Sequence, residues 1–130
     1  MGAWGTGSFE NDDARDFLAG LSSKTPEDLK QILVSANAAD YLDASAASVA
    51  VVAGEVIAAA RGSSSPGLPA EVVDWVDKIE GAPSPEMIGL ASNAVNRVRR
   101  NSELKDLWLQ ADGLNEWSAI LRDLEERLAP

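Results

Sequence analysis

The sequence predicts an all-α fold: a single-domain bundle of about six or seven short helices around a central Ala-rich helix, with a non-helical N-terminal segment. Three observations carry that expectation. Apolar residues recur at i, i+3, i+4 and i+7 along most of the chain, the spacing of one helix face. A capping residue, a proline and acids recur together, in Thr25-Pro26-Glu27-Asp28 and again in Ser84-Pro85-Glu86, as they do where helices begin. No window alternates apolar and polar residues convincingly, as a half-buried strand would.

Residues 1–9 carry no helical period. In this glycine-rich lead-in, Trp4 and Phe9 are the expected anchors that pin the segment to the body. The first helix should start near Asn11 or Asp12, since either side chain caps free N–H groups. Its stripe is Ala14, Phe17, Leu18 and Leu21, and Gly20 with Ser22-Ser23 marks its end. The second starts at Thr25-Pro26, buries Leu29, Ile32, Leu33 and Ala36, and finishes near Asn37.

The third should run from about Asp43 to Arg61, with Gly62 as its stop. Between those two charges the only charged residue is Glu55. A helix apolar on most sides belongs in the middle of a bundle, and small alanines let neighbours approach closely. Gly62 to Pro69 is the clearest loop, too short for an interdomain linker, so residues 1–130 are expected to form one helical domain.

A fourth helix follows over about Ala70 to Ile79, with Val72, Val73, Val76 and Ile79 inward and Trp75 facing a groove. The fifth begins at Ser84, buries Ile88, Ala91, Ala94, Val95 and Val98, and ends in Arg97, Arg99 and Arg100, which suit the negative helix end. Leu104, Leu107, Trp108 and Ala111 make a short sixth helix, stopped by Asp112-Gly113. The last carries Trp117, Ile120, Leu121, Leu124 and Leu128, with Asp123 and Arg127 as an i, i+4 ion pair.

Composition excludes several chemistries. With 21 acids against 11 bases the net charge is −10, which disfavours nucleic acid and anionic membrane surfaces. The same charge favours a basic protein partner. There is no Cys and no His, so thiolate nucleophiles, imidazole bases, disulfides and their metal sites are excluded. No cofactor and no metal is expected. A basic region followed by an apolar run is missing at the N-terminus, and Ala44 to Ala60 is too short to span a membrane. A cytoplasmic setting is therefore expected. Gly2 and Thr6 fit a loose N-myristoylation pattern, read here as part of the glycine lead-in.

Gly2, Gly5 and Gly7 ahead of a helix resemble a phosphate loop, but the spacing is wrong, no Lys follows, and Glu10, Asp12 and Asp13 would repel a phosphate. Those acids with Asp16 could gather a hard cation; capping and dipole compensation explain them without one. Glu55 is the more interesting carboxylate. On a central helix it must be paired, hydrogen-bonded or protonated. Arg97, Arg99 and Arg100 are the candidate partners; alternatively Glu55 shares a thin solvent-facing stripe with Ser45 and Ser48, or serves as a functional acid. Trp4, Trp75, Trp108 and Trp117 are either partner anchors or core, with core expected for at least two. The binding candidates are Trp4, Glu10, Asp13, Asp16 and Glu55; no catalytic residue is assigned.

Residues 1–14 read Met-Gly-Ala-Trp-Gly-Thr-Gly-Ser-Phe-Glu-Asn-Asp-Asp-Ala. Ser102, Glu103, Leu104, Leu107 and Trp108 follow later, then Trp117 and an apolar helix ending Arg127-Leu128. In both elements the chain resembles a bacterial family known only as a domain of unknown function, with a looser middle. The resemblance implies a small helical bacterial protein and brings no catalytic residue with it. The function expected is a non-catalytic protein-binding or accessory role, of which toxin neutralisation is one form. The alternative is a carboxylate-dependent hydrolase, metal-assisted, using Glu10, Asp13, Asp16 or Glu55.

Overall fold

Ala44–Ala60 forms the helix around which the others assemble. It is α3, counting α1 (Asp12–Ala19) and α2 (Pro26–Ala38) before it, and α4 (Ala70–Lys78), α5 (Pro85–Arg100), α6 (Glu103–Gln110) and α7 (Leu114–Arg127) after it. The computed structural model describes Ala3 and residues 5–130. Trp4, and the Gly2 of the acylation pattern, lie outside the described residues.

The side chain of Asp43 accepts from Ala46 N at 2.8 Å and starts α3. Residues 50–58 are then buried without a break. That requires neighbours on every side, and α3 packs against each of the other six helices. Small residues make it possible. A Cβ on Gly54 would meet Val95 Cγ2 at 2.7 Å, with Leu124 close behind, so this glycine sets how near α5 and α7 can come.

Four other helices begin at side-chain caps. Asn11 Oδ1 accepts from Ala14 N at 2.8 Å at the head of α1. Thr25 and Asp28 make a reciprocal capping box at α2, at 3.2 and 2.9 Å. Ser84 and Ser102 cap α5 and α6. Leu21 is buried as expected, but it belongs to a 3₁₀ turn (Leu21–Ser23) beyond the end of α1. Asn37 does more than end α2. Its amide donates to Leu33 O and Leu90 O, tying α2 to α5.

One inward face is corrected. Val73 is 42 % exposed, whereas Trp75 is 5 % exposed with its indole N–H donating to Lys24 O at 2.8 Å. The true i, i+3, i+4, i+7 stripe of α4 is Val72, Trp75, Val76 and Ile79, which leaves Val73 at its edge. Trp75 still reaches a groove, because one side of its ring lines the gap between α4 and the start of α2. Trp117 is buried and Trp108 half-buried.

Ahead of α1, Ala3 pairs with Asn11 in a single antiparallel bridge, Ser8 is buried, and Phe9 packs half-buried on the core. Among the described residues no helix is long and apolar enough to cross a membrane.

Candidate functional site

Glu55 sits one residue after the glycine that admits α7. It is 2 % exposed, so its charge needs internal partners. They come from both ends of the chain. Arg127 Nη1 donates to Oε1 at 2.9 Å and Nη2 to Oε2 at 3.3 Å. The Ser8 hydroxyl donates to Oε2 at 2.6 Å. Arg127 also donates from Nε to Asp123 at 2.9 Å and from Nη1 to Ser63 O at 3.3 Å. Burial pulls the Arg127 pKa down; hydrogen bonds and charge from Glu55, then Asp123, outweigh it and hold it above the ordinary guanidinium value.

The expected partners of Glu55 are therefore wrong. Arg97 donates instead to the Ala36 and Ala39 carbonyls at the end of α2, at 3.3 and 2.7 Å. Arg99 pairs with Glu125 of α7 at 2.6 Å. Arg100 is exposed. The solvent-facing stripe fails as well: Ser48 is buried with Glu55, and only Ser45 is exposed. Arg127 was open to view in the sequence. It lies three residues after Leu124 and beside Leu128, on the inward side of α7, so it does more than pair with Asp123 on the surface. Ser8 carried no such signal.

Glu55 and Arg127 form the inner wall of a cleft of about 380 Å³, with Ser8, Phe9, Glu10 and Asp123 around it. Glu10 turns back, and its carboxylate accepts from Gly7 N at 3.0 Å. A Cβ on Gly5 or Gly7 would displace that carboxylate, the far end of an exposed side chain. It also answers the phosphate loop: the chain's own anion already occupies the loop N–H. Of the expected site residues, Glu10 and Glu55 meet here. Asp13 lines a separate small crevice beside Trp108 and Trp117, and Asp16 is exposed on α1. Trp4 lies outside the described residues. Among the described residues no group of three or more carboxylates gathers.

The Glu55 cluster ties α3 to α7 and to the segment before α1: its carboxylate accepts three hydrogen bonds, one from Ser8 and two from Arg127.

A second feature lies at the other end of α3. A groove of about 530 Å³ runs between α2 and the start of α3, floored by Ile32, Ala39, Leu42, Ala46 and Val49. Tyr41 stands at its side, 66 % exposed. A hydrogen bond to Glu103 is the main reason its pKa lies above the ordinary tyrosine value; burial and the charges of Glu103, Asp106 and Asp43 add to it. Sequence reasoning missed Tyr41, whose one signal was to be the sole tyrosine in an acidic connection between two helices.

No curated protein and no solved structure matches the chain. The family model described as "Domain of unknown function (DUF4259)" matches residues 2–119, nearly the full length, and the chain therefore belongs to that family.

Proposed function

We propose that this is a non-catalytic binding or accessory protein of the bacterial cytoplasm, whose acidic surface meets a basic protein partner. The observation that carries this is where the charge sits. Of 21 acidic residues, Glu55 is the one that is buried, and Arg127 answers it. The others reach the surface. Among the described residues four carboxylates pair with Lys or Arg: Glu55, Glu86, Asp123 and Glu125. Most of the net charge of −10 therefore faces outward without a cation beside it. Such a surface attracts a basic protein and repels nucleic acid and anionic lipid. The Cys-free composition suits a reducing compartment.

A carboxylate-dependent hydrolase would stand on Glu10, Glu55 and Asp123 around one cleft. It is disfavoured because the Arg127 guanidinium already pairs with Glu55 and Asp123, and the Glu10 carboxylate turns back to Gly7 N.

The test is capture of partners from the native host, identified by mass spectrometry, then binding of the purified partner at rising salt. A basic partner whose affinity falls between about 0.05 and 0.5 M salt is expected. An acidic partner, or binding indifferent to salt, overturns the proposal. A rise in melting temperature with Mg²⁺ or Mn²⁺ would favour the hydrolase instead.

A further inference from the structure

We infer that the groove between α2 and the first half of α3 is the docking surface for one amphipathic segment of the partner, apolar along one side and carrying Lys or Arg at its end. This rests on the basic-partner proposal above and gives it a location.

The shape comes first. The groove holds about 530 Å³ over a floor that is apolar from Ile32 to Val49. That volume takes a few apolar side chains, as when a short helix lays its apolar face in a groove. The charge comes second. Asp43 is the one charged residue that lines the groove, and no base lines it. At that corner Tyr41 presents its exposed ring, with Glu103, Asp106 and Asp43 near enough to act on its hydroxyl. Arg97 also reaches the corner, donating to the carbonyls of Ala36, Ala39 and Asn101, and its charge offsets one of the three carboxylates there. A Lys or Arg arriving there meets carboxylates and an aromatic face together, which is the surrounding a cation gains most from.

Three alternatives fit less well. A second copy of the chain would bring its own net charge of −10 to the same acidic corner. The groove of about 520 Å³ around Trp75 mixes Lys24 and Lys78 with Glu71, Asp74 and Glu80, so it selects no sign of charge. The cleft beside Glu55 has already matched its buried charge internally.

The probe is a fluorescein-labelled synthetic peptide of about 14 residues, with Leu at i, i+3, i+4 and i+7 and Lys elsewhere. A sister peptide carries Glu in place of Lys. Anisotropy gives affinity, and amide shifts in ¹⁵N spectra give location. The Lys peptide is expected to bind, with shifts clustered around Ile32, Tyr41 and Val49. Ala46→Arg, which fills and repels at an exposed groove position, should weaken binding about tenfold or more. Tyr41→Ser, at another exposed position, should weaken it by a smaller factor. Val73→Arg, which adds the same charge on exposed α4, should leave binding within about twofold. Shifts elsewhere, or equal binding by Ala46→Arg, overturn the groove and leave the basic-partner proposal standing. Equal binding of the Glu peptide overturns both. A dimer by sedimentation that Ala46→Arg splits makes the occupant a second copy and overturns the groove proposal.

Discussion

The two halves of α3 are written in the same alphabet and end in different places. Both are rich in Ala with branched aliphatic residues among them, and hydropathy does not separate them. The second half is closed. Val95, Leu124 and Leu128 crowd Gly54, and Ser8 and Arg127 seal Glu55. The first half is open along one side. Ser45 and Ala46 are exposed, and Val49 is half-buried on the groove floor. Charge follows the same division. The acid of the closed half has a matched cation, whereas Asp43 and Glu103 at the open end accept from backbone N–H groups and lie near Tyr41. An apolar helix must be covered, but what covers it comes from elsewhere in the chain. The closed half thus serves stability, and the open half leaves one side of the helix uncovered.

The largest effect should come from breaking the seal. Arg127→Ala strips Glu55 of its cation while leaving the carboxylate buried, which costs about 3–5 kcal/mol. Urea unfolding monitored by circular dichroism measures it. Replacing both partners, Glu55→Met with Arg127→Leu, should recover most of that loss, because a matched apolar pair needs no compensation. A cost under about 1 kcal/mol for Arg127→Ala would mean that water reaches Glu55 and that the halves are not distinct.

Packing separates the halves next. Gly54→Val thrusts a branched side chain against Val95, itself stiff, and should cost about 2 kcal/mol. Ala46→Val makes a similar change on the groove side and should cost about 0.5 kcal/mol, little beyond the helix propensity difference. Equal costs at the two sites would erase the contrast. A second glycine calibrates it. A Cβ on Gly89 of α5 meets nothing within 4 Å, so Gly89→Ala should add about 0.5–1 kcal/mol through propensity alone. Melting curves of the three variants rank them.

What the sequence made legible divides along the same line. The bounds of α3 could be read because Asp43 and Arg61 interrupt an uncharged run and Asp43 caps it locally. The starts of α2 and α5 were equally local. Burial of Glu55 followed from one of two readings of the helix around it, the other being a solvent-facing stripe. Its partners did not, since Arg127 is 72 residues away and Ser8 is 47, and packing alone decides which base arrives. The arginines that looked available were drawn off by α2's free carbonyls and by Glu125. The swap of Val73 for Trp75 was an error of helical phase, correctable by spacing. The open groove was not legible, because the absence of a neighbour leaves no mark on hydropathy.

The smallest effect is the most local, and Tyr41 reports it. If the acids at the open end are unmatched, the phenol should hold its proton longer than an ordinary tyrosine. The Glu103 hydrogen bond comes first, then burial, then the charges of Glu103, Asp106 and Asp43. Absorbance near 295 nm should show its ionisation above the ordinary value of about 10. The folded value is the raised one, so any stability this contact adds is complete below the ordinary value and disappears as pH climbs through the folded one. Glu103→Gln keeps an acceptor for Ala44 N but removes the charge, and should bring the midpoint back toward about 10. The Glu55→Met, Arg127→Leu pair, which removes both charges of the closed half, should leave the midpoint where it was. A tyrosine that titrates normally and ignores Glu103→Gln would mean the acidic corner is fully screened, and the electrostatic difference between the two halves of α3 would vanish.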